Sequence, residues 1–411
     1  MALKPIYMLT YTRFSKISQQ LCRYLIILAA MSAPISTMVC SIACVGIIVT
    51  WLLSGQVISG LKIAYQHPVG KAILIFVGWL LISMFYADTS AQTKLTTLLS
   101  WQKLFFVFIL LGFFYQADWQ RRFVYSYFIF MSLAALISLL CWFVKFGTFD
   151  QSPGIIMTNY VAQSIALIAA LLCAVFLLNK PDSGVPKAYL WLSNALFVIN
   201  IFIISPARSG YIALPPALIF AGIYFYGFKK LPQLIAILFS IIMIAGLSSS
   251  NLQQRIKLGL QEQTSYQTSA SETSIGLRMI FYKNTMELIS QNPLWGYGTS
   301  SFESVYSHYA AAQSSDWHGG KTGDPHNQYL FIWLENGLVG LILFGFYIYY
   351  ALRVGWYHPA YGQIAAGFLI AICASSLFNS HFKTFPEGNL LAFFMGALLA
   401  LPPKSTKAGL D

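Results

Sequence analysis

Two arginines and a histidine stand where charge needs a reason. Arg208 lies in a short Pro206-Ala207-Arg208-Ser209-Gly210 turn between two apolar runs. Arg278 follows Gly276-Leu277 inside the longest polar stretch, and His326 sits in Asp324-Pro325-His326-Asn327-Gln328, directly before the next apolar run. A guanidinium is a planar fork that matches two phosphate oxygens at once. An imidazole takes up and releases a proton near neutral pH. Gathered at one membrane surface, this set suits a phosphate-bearing substrate handled beside lipid.

Each residue also has a plainer reading. Arg208 either snorkels from a helix end or grips phosphate, and the tightness of its turn favours the grip. Arg278 belongs to an expected amphipathic helix over 274–290, with Ile275, Met279, Tyr282, Met286 and Ile289 on one stripe and Asn284 opposite. It borders the stripe, so it rests against phosphate, either a lipid's or a substrate's. His326 is either a base or a helix-start residue, with Asp324 as N-cap and Pro325 in the first turn. His308, His318 and His381 are weaker candidates, with Lys383 and Glu387 as accessory polar groups near His381. The sequence holds no HExxH pattern, no paired His-Asp cluster and no DxD pair, so neither a metal nor a cofactor is expected.

The elements that must position these residues are membrane spans. The 411-residue chain is 57% apolar and 9% charged, with a mean hydropathy of +0.64, which excludes an ordinary soluble protein. Apolar runs recur at 22–34, 37–54, 69–87, 95–116, 121–145, 156–178, 188–205, 209–227, 231–249, 328–351, 359–379 and 386–402. Many have the length a helix needs to cross a hydrocarbon core of roughly 30 Å. Pro34 and Ser36 either kink one span or separate two. An N-terminus in the cytoplasm puts 15 of the 25 Lys and Arg in or beside short inner segments, including Arg121, Arg122, Lys180, Lys187, Lys229 and Lys230. The expectation is an all-α polytopic membrane protein of about 12 transmembrane helices. It forms a single membrane domain over 1–411, with one large periplasmic loop, 250–326, inserted between helices 9 and 10.

That loop reads as a Ser-, Gln- and Thr-rich stretch over 250–273, the amphipathic helix ended by Asn292-Pro293, and a second short helix around 300–312. The net charge of +12 reports topology, and no basic run on a soluble face is interleaved with stacking aromatics, so nucleic acid is not a partner. The six cysteines lie in or beside spans and read as small apolar packing residues. No cleavable signal peptide is expected. A coupled transporter usually needs an intramembrane carboxylate, and Glu335 alone lies well inside a run.

Taken in order, Arg208-Ser209-Gly210, Gly276-Leu277-Arg278, Asn292-Pro293-Leu294-Trp295-Gly296-Tyr297-Gly298-Thr299, Pro325-His326-Asn327-Gln328-Tyr329-Leu330 and Glu335-Asn336-Gly337-Leu338-Val339-Gly340 resemble the O-antigen ligase family. This family belongs to a superfamily of bacterial membrane glycosyltransferases. The resemblance implies a metal-independent, inverting transferase of the inner membrane, with its site facing the periplasm. The implied donor is a polysaccharide on undecaprenyl diphosphate, the implied acceptor the lipid A core, and membrane lipids surround both. It also implies that Arg208 and Arg278 are the essential arginines and His326 the essential histidine; His318, His381 and Lys383 remain further candidate substrate contacts on their residue types alone. An O-antigen polymerase of the superfamily would use the same residues. A protein O-oligosaccharyltransferase is usually longer after its last span, and a lipid-linked sugar flippase would line a path across the bilayer with charge.

Overall fold

The computed structural model describes residues 3–146, 152–233, 274–313 and 319–403, with residues 235, 236, 240, 243, 253 and 257. Among them every regular element is helical. The helices are α1 (Leu3–Ser32), α2 (Thr37–Leu53), α3 (Val57–Gln66), α4 (Pro68–Met84), α5 (Ala91–Ser100), α6 (Lys103–Phe113), α7 (Ala117–Phe143) and α8 (Tyr160–Leu178). They continue with α9 (Lys187–Ile199), extended by a π-helical turn to Ile204, then α10 (Arg208–Tyr226), α11 (Ser274–Gln291), α12 (Phe302–Gln313), α13 (Gln328–Tyr357), α14 (Gly362–Ser375) and α15 (Phe385–Leu398).

The first two apolar runs are separate helices. Ser36 caps α2 by accepting from the Val39 N–H, and the two helices run antiparallel, with Ser15 bonded to Ser54 and Cys22 to Ile47. Gly46 leaves room for Leu25 between them.

The expected twelve spans are not reached. By length and hydropathy, six helical stretches among the described residues can cross a membrane: Ala91–Phe113, Ala117–Phe143, Tyr160–Leu178, Lys187–Ile204, Arg208–Tyr226 and Gln328–Tyr357. Thr37–Leu53 with Val57–Gln66 makes a seventh if that pair, bent by 106°, is one span. The run at 231–249 lies largely outside the described residues. Those at 69–87, 359–379 and 386–402 become helices of 17, 14 and 14 residues. At 1.5 Å per residue a 14-residue helix rises only about 21 Å, short of the roughly 30 Å core. Apolar runs count residues, whereas spans need unbroken helix.

Hydrogen bonds nevertheless sort the turns into two groups. In one, the Pro34 carbonyl accepts from Thr158, Thr89 meets Ser300 at 2.7 Å, and the Tyr86 hydroxyl donates to the Trp295 carbonyl. In the other, His67 and His358 bond the carbonyls of Leu399 and Ala400, Gln120 donates to those of Ala397 and Ala400, and Lys180 donates to the Tyr361 hydroxyl. Helix α15 runs from the first group to the second, buried along its length against α1, α6, α8 and α14. A helix apolar on every side belongs in such a centre.

The break in α13 explains two of the motifs together. Gly337 leaves helical geometry at φ +65°, and a Cβ there would lie 2.1 Å from the Leu294 carbonyl oxygen. Backbone groups freed by the break find partners elsewhere. The carbonyls of Leu334, Glu335 and Asn336 accept from Tyr297 N, Gly298 N and the Trp79 indole. Leu338 N donates to the Pro293 carbonyl at 2.9 Å. The segment 292–300 is thus seated in the break. Ser83, Thr299 and the Asn336 side chain form a buried network beside it, and Glu335 accepts from the Phe302 N–H. Buried polar groups require such partners.

Candidate functional site

Arg208 is the first residue of α10, where the helix start adds partial positive charge to the guanidinium. The turn before it is organised by Ser205, whose hydroxyl meets Ser164 at 2.8 Å and accepts from the Ala207 N–H. Tyr211 donates to the Ser205 carbonyl and stacks on Phe202. Gly210 brings α10 against α8, since a Cβ there would lie 2.8 Å from that of Ser164.

Arg278 lies in the first half of α11. The buried face of this helix is not the expected stripe. Met279 and Met286 are exposed, whereas Ile280, Phe281, Asn284, Thr285, Leu288 and Ile289 are buried. Asn284, expected to face solvent, donates to the Tyr306 hydroxyl at 3.2 Å. The expected pattern followed apolar residues alone, and here the Asn284 amide is buried against the Tyr306 hydroxyl.

His326 stands two residues before α13. Asn327 caps that helix, accepting from Tyr329 N and Leu330 N, so Asp324 is not its cap. Asp324 instead accepts the His326 N–H at 2.7 Å and the Ser380 hydroxyl at 2.7 Å, and meets Lys383 at 3.5 Å. His326 is held at φ +55°, a left-handed conformation uncommon outside glycine. Its ring stacks on Phe281 with centroids 6.1 Å apart.

These three residues line one open cavity of about 480 Å³. Ser209, Tyr160, Tyr282 and Asn379 add polar and aromatic surface, and Pro206, Val161, Ile212, Met279 and Phe378 add an apolar wall. Among the described residues no carboxylate is in the lining. Burial holds the Tyr282 phenol above its ordinary pKa, against a weaker downward pull from Arg278, so it is a neutral hydrogen-bond donor. Two guanidiniums, an imidazole and an apolar wall can together hold an anionic group attached to a hydrocarbon chain and move a proton beside it.

The other expected contacts are placed differently. His381 is fully buried outside this lining, with Nε2 at 2.7 Å from the Ser375 hydroxyl, and burial lowers its pKa. Lys383 donates to the Gly323 carbonyl and lies over the Phe331 ring, so it braces the loop behind His326. His308 is exposed on α12. His318 lies outside the described residues. Among the described residues no three His, Cys, Asp or Glu side chains gather where they could hold a metal ion. Tyr160 and Asn379 carry no sequence signal that would have placed them here; Tyr282 does, four residues beyond Arg278 on one helix.

The fold and cavity define a class: a helical membrane protein with a cationic, partly apolar cavity at one end of its bundle. Residues 192–345 match the family model described as O-antigen ligase, and this match supports a place in that family. The matched stretch contains Arg208, Arg278, His326 and both partners of the α13 break. The chain is also similar to an uncharacterized protein of Haemophilus influenzae, 25% identical over 225 residues. That similarity spans 51% of this chain and 54% of the relative, about half of each.

Proposed function

We propose that this chain transfers a polysaccharide from undecaprenyl diphosphate to a sugar hydroxyl of the lipid A core, at the periplasmic face of the bacterial inner membrane. The observation that carries the reading is the convergence of Arg208, Arg278 and His326 on one cavity with an apolar wall. The family match supports it at the level of O-antigen ligase and polymerase chemistry. Arg208 and Arg278 hold the donor diphosphate. His326 accepts the proton of the acceptor hydroxyl as its oxygen bonds to the anomeric carbon. The bond from that carbon to the diphosphate oxygen breaks on the opposite face, inverting the configuration. Undecaprenyl diphosphate leaves with the electron pair, and the arginines stabilise the charge it gains. The step draws on no metal ion. The group of turns containing Pro34, Thr158, Ser300 and Asn379, together with 250–326, faces the periplasm.

The test is transfer by purified protein in nanodiscs, with lipid-linked polysaccharide and lipid A–core glycolipid supplied together and singly. A larger glycolipid and free undecaprenyl diphosphate, formed only with both present, support the ligase. Lengthening of lipid-linked chains without the core acceptor would instead make the chain a polymerase. Movement of lipid-linked sugar across a vesicle without any new bond would make it a flippase.

A further inference from the structure

A second open cavity, of about 500 Å³, adjoins the first and shares Tyr160, Val161 and Asn379 with it. Its volume falls in the range of small-molecule pockets, roughly 300–1,000 Å³. The chemistry of its lining is opposite to that of its neighbour. Asn159, Thr384 and Glu387 supply amide, hydroxyl and carboxylate, and no basic residue among the described ones contributes. A diphosphate placed here would face a carboxylate with no cation in the wall. A sugar would find acceptors and donors for its hydroxyls.

Glu387 marks this cavity as built for a ligand. Its side chain is 3% exposed, and Oε2 has no hydrogen-bond partner. A buried oxygen left without a partner is costly and calls for one. Rotation about the terminal torsion exchanges the two oxygens, so either can turn to a ligand. Charge balance is provided from behind, where Lys103 and His381 lie within electrostatic reach. Lys103 is itself held by the carbonyls of Ser100 and Lys383. Asn159 uses its Oδ1 to cap α8, and its Nδ2 points to no partner among the described residues.

We infer that this second cavity is the acceptor subsite, where Glu387 and Asn159 bind hydroxyls of the neutral sugar that receives the chain. The inference rests on the transferase reading above. Two cavities of contrasting charge, joined along Tyr160 and Asn379, would place an anionic donor and a polyhydroxyl acceptor side by side.

The test uses purified full-length protein in nanodiscs and measures initial transfer rates. Lipid A–core glycolipid is varied at saturating lipid-linked donor, and the donor is varied at saturating acceptor. Glu387→Ala should raise the acceptor KM about tenfold or more, the loss of one hydrogen bond to a charged group, with the donor KM within about twofold of wild type. Glu387→Gln preserves shape and should show the same bias more weakly, which keeps the test decisive if the alanine variant fails to fold. Donor and acceptor KM rising together, or an unchanged acceptor KM in both variants, overturns the subsite. Binding of undecaprenyl diphosphate alone is measured in parallel. If wild type binds it and Arg278→Ala does not, the donor reading stands whatever the acceptor data show; if wild type fails to bind it, that reading fails instead.

Discussion

The hydroxyl of Tyr282 donates to the carbonyl oxygen of His326 at 3.1 Å, shared with the Leu377 carbonyl at 2.9 Å. One side chain therefore ties the helix that carries Arg278 to the loop that carries the histidine and to the turn after α14. Because Tyr282 and Arg278 are four residues apart on α11, movement of that helix would shift the arginine and release the histidine together.

Tyr282→Phe should keep the fold and lower transfer. The lost hydrogen bond is worth about 1 kcal/mol, or roughly fivefold in rate if it positions His326. Transfer assays beside thermal melting will show whether rate falls while stability changes little. An unchanged rate would mean that the tie plays no part in positioning.

Arg208→Lys and Arg278→Lys each keep a charge and lose the planar fork. At unsaturating donor, transfer should fall about tenfold or more in both. Near wild-type rates for both variants would leave the arginines as membrane anchors only.

His326 separates catalysis from folding because of its backbone. A left-handed residue other than glycine costs roughly 1–2 kcal/mol. His326→Gly should therefore melt within about 1 kcal/mol of wild type, the relieved strain offsetting the lost Phe281 stack. Transfer should fall about 10²–10⁴-fold in both His326→Gly and His326→Ala, as expected for loss of a general base, with lipid diphosphate still bound. Full turnover in the glycine variant would place the base elsewhere.

At the opposite end of the bundle, burial lowers the His67 pKa to about 4, against a smaller upward effect of its bond to the Leu399 carbonyl. His358 is lowered by burial as well. Above pH 6.5 His67 is neutral in both the folded and the unfolded chain, so its stability contribution is fully present. As pH falls from 6.5 towards 4, the unfolded chain binds a proton that the fold excludes. Stability should drop by about 1.4 kcal/mol per unit, levelling off below about 4. Melting of the detergent-solubilised protein across this window should show the slope, and His67→Gln should reduce it.

Gly337→Ala should cost several times more than an ordinary helix substitution. It forces a Cβ into the Leu294 carbonyl and a side chain into a left-handed position. We expect the segment 292–300 to leave the break, exposing the α13 carbonyls, with loss of both expression and transfer. A variant with wild-type melting would show that the break tolerates a side chain.

Much of this protein is legible in residue types. Long apolar runs can only be satisfied as helices within lipid, since backbone groups there must bond internally. The two helices of the polar segment were legible from periodicity and from Asn292-Pro293, and appear as Ser274–Gln291 and Phe302–Gln313. Arg208, Arg278 and His326 stood out because charge beside lipid demands a partner. Tertiary structure decided the rest. Hydropathy counts residues and cannot see the break at Gly337, or that α15 ends after 14 residues and is buried by its neighbours along its length. The buried face of α11 was set by Tyr306 and other partners distant in sequence, which periodicity within one helix does not contain. The role of Asp324 depends on Ser380, 56 residues away, meeting it beside His326, because a hydrogen bond is a relation between positions in space.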